Sequence, residues 1–270
     1  HQNPPTVKAH PNVMVFLTTW TKSFFEPLAS PLNKAFREKY EAFTPQCPNI
    51  VLRDYDGLSV WWGFGPFTLA DVHAVDYPWY LEHGMCGVVT EAQIGWGPWG
   101  YSYYLTSKLW WNPRADLAAL KRDFVQSGYG EAAEPMTRYY QRLDEAKVYP
   151  PPATLYAMRR DLEEAAKLAR RPDVRRRIDY LRAYYFLYDT YSRIQNGQAG
   201  PEEVQTAFRV LHSIDPHVSP IGEKHLSRAV EGKSVETVPL TEPELRTILD
   251  KVVLTKPNDL AVWSDADDAR

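Results

Sequence analysis

A carboxylate and an amide, Glu91 and Gln93, come directly after a short run of β-type residues at positions 87–90. A Gly/Trp/Pro turn and an aromatic helix predicted over residues 101–111 follow them. In folds built from such βα units, the chemistry lies at the carboxyl ends of the strands. Glu91 is therefore a candidate catalytic residue, as a general acid or base or as a partner of a sugar hydroxyl, and Gln93 is a candidate substrate ligand. The alternative for Glu91 is a carboxylate held by an arginine or a backbone amide.

Two more carboxylates, Asp54 and Asp56, follow a second predicted strand at residues 49–53, with Tyr55 between them. Because side chains alternate along an extended segment, we expect only one of the two carboxylates to face a site. We take Asp54 as a second candidate catalytic residue and Tyr55 as a candidate substrate ligand. The alternative is an Asx turn closed by Gly57.

Tryptophans are concentrated in the first 111 residues. Of the nine Trp residues, only Trp263 lies beyond residue 111. Several of the others, Trp99 among them, lie in Gly-rich loops, a position that suits an exposed stacking platform as well as core packing. Flat apolar faces of sugars stack on Trp and Tyr, whose polar ends can also hydrogen-bond hydroxyls. The candidate substrate-binding residues are Trp20, Tyr55, Trp61, Trp62, Gln93 and Trp96.

Other kinds of chemistry find little support in the sequence. There is no serine nucleophile motif, phosphate-binding glycine loop or HExxH motif. Cys47 and Cys86 are the only cysteines and show no zinc-ligand spacing, so we expect no metal and no cofactor. The net charge of −3 gives no reason to expect nucleic acid or an anionic membrane as a partner. His73 and His83 lie on or near predicted helices without a partner pattern, so we interpret them as surface or core residues.

Three βα units must position the candidate side chains. Residues 12–18, 49–53 and 86–91 are typical of buried strands, and a helix follows each of them. Consecutive units of this kind predict a parallel sheet. Three units cannot close a barrel of eight. We therefore predict the C-terminal part of a (β/α)8 TIM-type barrel whose remaining strands lie upstream of this chain, with a small open sheet as the alternative.

The pattern becomes helical after residue 112. Asn112 and Pro113 form an N-cap with proline at the first helical position. Further helices are predicted at about 131–147, 153–170, 173–195, 201–213, 222–230 and 242–254. The fold class is thus α/β plus all-α. The predicted organisation is a partial barrel over residues 1–112, a helical domain over 113–262 and a flexible tail over 263–270.

A stretch near the end of the predicted barrel resembles a large group of bacterial proteins regarded as glycoside hydrolases, which includes glycoside hydrolase family 163. In that group a final barrel strand ending in Glu is followed by a helix and then by a YG-x-AA element. The matching positions here are Gly87, Glu91, Leu105, Lys108, Leu109, Trp111, Pro113, Asp116, Leu120, Phe124, Tyr129, Gly130, Ala132, Ala133, Met136 and Tyr140. The resemblance covers about residues 1–147.

The resemblance implies a TIM barrel with an added helical domain, in a secreted, periplasmic or cell-surface protein. Family 163 enzymes are endo-β-N-acetylglucosaminidases acting on N-glycans. The resemblance further implies substrate-assisted retaining hydrolysis, in which the substrate's own acetamido oxygen attacks the anomeric carbon. The proton donor would lie on a mid-barrel strand upstream of His1, and the residues present here would mainly line sugar subsites.

Two hypotheses of different classes follow. The leading one is the C-terminal part of a glycoside hydrolase that acts on an oligosaccharide or glycan, enzymatically active if the upstream half of the barrel is present. The alternative is a non-catalytic carbohydrate-binding or assembly module that uses the same aromatic platform. A third and simpler hypothesis is a scaffold with buried aromatic residues.

Overall fold

A computed structural model describes residues 3–56, 64–92, 95–146, 150–227 and 238–252. Three of the predicted substrate ligands, Trp61, Trp62 and Gln93, lie outside the described residues, as does the predicted tail over residues 263–270. The described chain folds into two compact units. The first contains His1–Leu58, Thr68–Ala92 and Ser102–Lys121, and the second contains Ser59–Phe67, Gln93–Tyr101 and Arg122–Arg270.

The first unit is built on a parallel sheet of three strands, β1 (Val15–Thr18), β2 (Ile50–Asp56) and β3 (Met85–Ala92), in the order β1-β2-β3. This confirms the predicted combination of parallel strands and helices. β2 extends three residues beyond the predicted end at residue 53, because its pairing with β3 continues as far as Asp56 opposite Ala92. Residues 54–56 therefore belong to the strand and do not form a turn.

One face of the sheet packs against helices, and we call it the helix face. The helices involved are α1 (Lys34–Phe43), which follows a 3₁₀ turn at Pro31–Asn33, α2 (Ala70–Glu82) and α3 (Trp96–Trp111). Apolar side chains of the strands and of all three helices form one core cluster here. Its largest buried members are Phe36, Tyr40, Phe43, Ile50, Leu52, Tyr77, Tyr80 and Leu109. Burial of this shared surface is the main stabilising contribution to the first unit.

The opposite face, which we call the open face, is apolar at one end and polar at the other. Side chains alternate between the faces along each strand, and the register places Phe16 beside Val51, and Arg53 beside Thr18 on one side and Val89 on the other. Phe16 and Val89 are both about half exposed. Toward the carboxyl ends of the strands, the open face carries Tyr55 beside Glu91.

The second half of the chain is helical, as predicted. After α4 (Leu117–Tyr129) and a second 3₁₀ turn (Gly130–Ala132) come α5 (Ala133–Ala146), α6 (Pro152–Leu168), α7 (Pro172–Gln195), α8 (Pro201–Ser213), α9 (Glu223–Leu226) and α10 (Glu242–Leu249). Arg182 is buried on α7 and donates to Asp179 at 3.0 Å, to Glu163 of α6 at 2.7 Å and to Asp250 at 2.9 Å. One guanidinium thus ties together α6, α7 and the end of α10.

The Gly/Trp/Pro stretch before residue 101 was predicted to be a loop, and this prediction was wrong. It is the first turn of α3, because the amides of Trp96 and Gly97 donate to the carbonyls of His217 (2.7 Å) and Val218 (3.0 Å). A Cβ on Gly97 would lie only 2.5 Å from the Val218 carbonyl oxygen, so this close contact requires glycine. Both acceptors come from a segment about 120 residues further along the chain, which no local pattern could supply.

Among the described residues, no helix is long and apolar enough to cross a membrane.

Candidate functional site

The candidate site lies on the open face, at the carboxyl ends of the three strands. Because the strands are parallel, their carboxyl ends all lie at the same end of the sheet. The register sets Tyr55 of β2 directly beside Glu91 of β3. Trp20 lies two residues beyond the end of β1. Three residues that the sequence analysis selected separately therefore meet at one edge of the sheet.

An aromatic group covers this part of the open face. The ring centroids of Trp20 and Tyr55 are 5.2 Å apart, with an interplanar angle of 69°. Phe24 packs on Tyr55 from a distance of 6.0 Å. The Tyr55 hydroxyl and the Thr18 hydroxyl are hydrogen-bonded at 3.0 Å. Tyr55 is buried by these contacts while Trp20 stays 45% exposed, so Trp20 offers the accessible ring surface and Tyr55 supports it.

Glu91 forms an ion pair with Arg53 across β2 and β3. The guanidinium donates to Glu91 Oε1, and both side chains are partly exposed. This is the alternative considered for Glu91 in the sequence analysis, a carboxylate held by an arginine. The pair presents Glu91 as a charged hydrogen-bond acceptor in a fixed position, a role that suits the binding of hydroxyl groups.

Asp54 and Asp56 lie on the helix face, on the opposite side of the sheet from Glu91. Both are buried. The expectation that only one of them would face a site was wrong, because residues two apart in a strand project from the same face. His73 of α2 confirms this arrangement, since its Nε2 lies 3.7 Å from Asp54 Oδ2 and 4.0 Å from Asp56 Oδ1. The Asp54 carboxylate is buried and points away from the open face, and the catalytic role of Asp54 stays a prediction.

Asp54 accepts hydrogen bonds from three directions. Its Oδ1 accepts from the Thr19 hydroxyl at 2.7 Å and from the Tyr55 amide at 3.0 Å. Its Oδ2 accepts from the Tyr77 hydroxyl of α2 at 3.2 Å. The Tyr77 oxygen in turn accepts from Trp110 Nε1 of α3 at 2.8 Å. These donors compensate for the burial of the carboxylate and connect it to β1, α2 and α3.

The Asp56 carboxylate has fewer hydrogen-bond partners than the Asp54 carboxylate. Its Oδ2 accepts from the Thr90 hydroxyl at 3.1 Å, but its Oδ1 is buried and has no hydrogen-bond partner among the described residues. Burial, together with the negative charge of Asp54, raises the pKa of Asp56 to about 8. Burial also lowers the pKa of His73 to about 4. At neutral pH the geometry thus holds Asp56 as a neutral acid and His73 as a neutral imidazole, whose Nδ1 lies 3.0 Å from the Thr106 hydroxyl.

A buried ion pair completes the helix-face cluster. Lys22, in the loop after β1, donates to Asp76 Oδ2 at 2.5 Å, and the Leu28 amide donates to Asp76 Oδ1 at 2.8 Å. Both charged side chains are almost fully buried. Burial raises the pKa of Asp76, and the adjacent ammonium opposes that rise. The pair anchors the loop to α2, and this loop contains Trp20.

Comparison with known families gives one match. The model of a domain of unknown function, DUF4838, matches residues 1–142, more than half of the 270 residues. The chain belongs to the DUF4838 family. No curated protein and no solved structure matches it. The part of this DUF4838 protein that matches the family contains all three strands, the open-face site and the helix-face cluster.

Among the described residues of the DUF4838 chain, two tryptophans belong to its second unit. Trp96 is 57% exposed at the start of α3, and its role as a substrate ligand stays a prediction. Trp99 is fully buried, and its Nε1 donates to the Gly65 carbonyl at 3.1 Å, so it is a core residue and not a stacking platform. No group of three or more His, Cys, Asp or Glu side chains within the described ranges is arranged to hold a metal ion.

Sequence reasoning missed Arg53 and Thr18 on the open face. It allowed His73 a place in the core but did not predict its contacts with Asp54 and Asp56. A signal for His73 was present in the sequence. His73, Asp76 and Tyr77 are spaced i, i+3 and i+4, which places three polar side chains on one face of a helix. A polar stripe on a helix beside a strand that contains Asp54 and Asp56 predicts a buried polar cluster between the two elements.

Proposed function

We propose that this DUF4838 chain is a carbohydrate-active protein and forms the C-terminal part of a glycoside hydrolase. The observation that carries the proposal is the grouping of Trp20, Tyr55 and Glu91 at the carboxyl edge of a parallel sheet. Tyr55 contacts the exposed Trp20 ring on one side and pairs with Glu91 on the other. An exposed indole and a charged acceptor on the same face suit a sugar, whose flat apolar face stacks while its hydroxyls donate hydrogen bonds. The resemblance to family 163 favours a glycan containing β-linked N-acetylglucosamine.

The same proposal includes a barrel. Strands outside this chain would complete it. β1 is an edge strand of the sheet, and a groove of about 460 Å³ lies along it between residues 3–9 and α1. The apolar part of the open face, at Phe16 and Val89, would be covered by facing strands if the sheet closed on itself. Edge strands with unpaired amides and carbonyls are normally protected, and strand addition provides such protection.

Glycan binding by the whole chain tests the sugar-binding part of the proposal. The probe is the chitobiose core of N-glycans, two β-linked N-acetylglucosamine residues, titrated by calorimetry. We expect Trp20→Ala to weaken binding about tenfold or more, because stacking on an aromatic ring contributes more than a kilocalorie per mole. Trp111→Ala is the matched control, since Trp111 is 92% exposed at the end of α3. Equal affinities for the wild type and both variants would refute sugar binding at Trp20.

Hydrolysis requires the complete parent protein, because the proposed proton donor lies on another strand. In that protein we expect Glu91→Gln to lower turnover of the same glycan while its dissociation constant changes only a few-fold. Unchanged turnover and unchanged binding would remove Glu91 from the site. A loss of binding equal to the loss of turnover would assign Glu91 to binding alone.

One observation favours the second candidate, a non-catalytic carbohydrate-binding module. Among the described strand residues that project to the open face, Glu91 is the only carboxylate, and Arg53 already pairs with it. Within the described strands no second carboxylate accompanies it on this face, so an acid for hydrolysis would have to come from outside this chain, whereas sugar binding needs none. If the parent protein binds the glycan but neither it nor any Glu91 variant releases product, the binding module is the correct assignment.

A further inference from the structure

Asp54 lies directly behind the aromatic platform of the open face. Its Oδ1 accepts from Thr19 and Tyr55. Thr19 directly follows β1, and Tyr55 lies near the end of the neighbouring strand β2. The Thr19 amide also donates to the Arg53 carbonyl at 3.1 Å. The carboxylate thus closes a short bridge between β1 and β2 at the last residues of their pairing.

The bridge is on the helix face, but its neighbours along the chain are on the open face. Thr18 and Trp20 flank Thr19, and Tyr55 follows Asp54. Because successive side chains alternate, fixing Thr19 and Asp54 on one face fixes Thr18 and Tyr55 on the other. Trp20, in the turn that follows, packs its ring on Tyr55. The Thr18–Tyr55 hydrogen bond and the Trp20–Tyr55 ring contact are the two interactions that this bridge aligns.

The two carboxylate oxygens have separate partners. Tyr77 donates to Asp54 Oδ2, and Trp110 donates to the Tyr77 oxygen, so the helices satisfy the oxygen that takes no part in the bond to Thr19. Asp54 and Thr19 are both almost fully buried, so neither can touch a ligand bound on the open face. Any influence on such a ligand must pass through the position of Trp20 and Tyr55.

We propose that Asp54 is a positioning residue, which sets the sugar-stacking geometry of Trp20 and Tyr55 through its hydrogen bond with the Thr19 hydroxyl. This inference rests on the proposed function, because it assigns a role in the same site. It replaces the direct catalytic role that the sequence suggested for Asp54. It also predicts that Thr19, a residue with no contact to the open face, contributes to ligand affinity.

The test compares two substitutions at Thr19 with one at Tyr77. Thr19→Val keeps the β-branched shape and removes the hydroxyl, whereas Thr19→Ser keeps the hydroxyl. Tyr77→Phe is the matched control, since it removes a hydrogen bond to the same carboxylate without touching the link between the strands. Thr19→Cys, with a weaker donor, is a second variant should Thr19→Val fail to fold.

The first measurement needs no ligand. The near-ultraviolet circular dichroism of Trp20 is isolated by subtracting the spectrum of each variant combined with Trp20→Phe. We expect Thr19→Val to lower this signal by half or more, Thr19→Cys to lower it less, and Thr19→Ser and Tyr77→Phe to preserve it. An equal loss in Thr19→Val and Tyr77→Phe, or no loss in either, would overturn the proposal.

The second measurement is the affinity for chitobiose. We expect about a tenfold weaker dissociation constant for Thr19→Val, and changes below about twofold for Thr19→Ser and Tyr77→Phe. If the wild type binds and Thr19→Val binds equally well, the positioning role is wrong and the proposed function stands. If the wild type does not bind but the dichroism of Trp20 follows the expected order, sugar binding is wrong and the positioning role stands.

Discussion

Asp56 gives the sharpest prediction about the physical state of the buried cluster. With its pKa raised to about 8 by burial and by the charge of Asp54, the folded protein keeps a proton that the unfolded chain releases near its ordinary value of 3.8. As the pH rises through this interval, the unfolded state binds fewer protons than the folded state, so the free energy of unfolding falls. The loss is complete above about pH 8. Asp56→Asn keeps the shape of the side chain and cannot ionise, so it should remove this loss of stability at high pH.

The window in which this effect is visible follows from His73. Its pKa falls from 6.5 to about 4 on folding, so between these values the unfolded state binds the extra proton and stability rises with pH. The slopes of Asp56 and His73 therefore oppose each other below pH 6.5. Between pH 6.5 and about 8, Asp56 contributes and His73 does not. Thr90 and Lys22 also act on Asp56, and both favour its ionised form, so they limit the rise in its pKa.

The magnitude follows from one proton over this window. A difference of one bound proton changes the free energy of unfolding by about 1.4 kcal/mol per pH unit. From pH 6.5 to about 8 this gives at most about 2 kcal/mol. For a protein of this size, about 2 kcal/mol corresponds to a melting-temperature difference of about 4–8 °C.

Thermal unfolding at pH 6.5, 7, 7.5 and 8 measures the effect. The wild type should lose stability relative to Asp56→Asn as the pH rises. Glu38→Gln is the control, because Glu38 is an exposed carboxylate on α1 and should follow the wild type. If the curves of the wild type and Asp56→Asn stay parallel across the window, Asp56 does not hold a proton in the folded protein and the reasoning is refuted.

Three further predictions concern stability and can be measured by urea denaturation. Lys22→Met leaves the buried carboxylate of Asp76 without its cation and should cost about 3–5 kcal/mol, with partial recovery in a double variant that also carries Asp76→Leu; equal stability of the single variant and the wild type would contradict this. Gly97→Ala should destabilise by about 1–3 kcal/mol because its Cβ meets a carbonyl oxygen, whereas Gly128→Ala, in a helix with open space, should be neutral or stabilising. Arg53→Gln breaks only a partly exposed ion pair and should change stability by less than about 1 kcal/mol, and a larger loss would mean that the pair holds the sheet together.

Local patterns predicted the elements of the first unit but not all of their limits. Continuous apolar and β-branched runs identified β1 and β3 to within a few residues. The burial predicted for these strands was found on one face only, since Phe16 and Val89 are about half exposed. The end of β2 was missed, because Asp54 and Asp56 have low strand propensity and only pairing with β3 keeps them extended. The start of α3 was missed for a similar reason. Its first amides are satisfied by His217 and Val218, which are distant in the sequence.

The candidate site was partly predictable for the same reasons. Placing Tyr55 and Glu91 at strand ends required only the rule that parallel strands share a carboxyl edge. Their direct adjacency depends on the register between β2 and β3, which a β-bulge between Ile50 and Val51 shifts by one residue. Without that irregularity, Tyr55 would lie one residue out of step with Glu91. Single-sequence patterns contain no signal for it.

Side chains alternate along β2, so neighbouring residues of this one strand project from opposite faces of the sheet. Asp54 and Asp56 serve the helix face, where donors from β1, α2 and β3 satisfy most of their oxygens. Tyr55, between them, serves the open face. A carboxylate moved to the position of Tyr55 would lie beside Glu91, and repulsion between the two charges would weaken the edge of the sheet. The aromatic residue at this position leaves Glu91 paired with Arg53 and gives Trp20 a rigid support. The polar residues that look most catalytic in the sequence therefore lie on the helix face, and the aromatic residue between them lies on the open face, where we propose that the sugar binds.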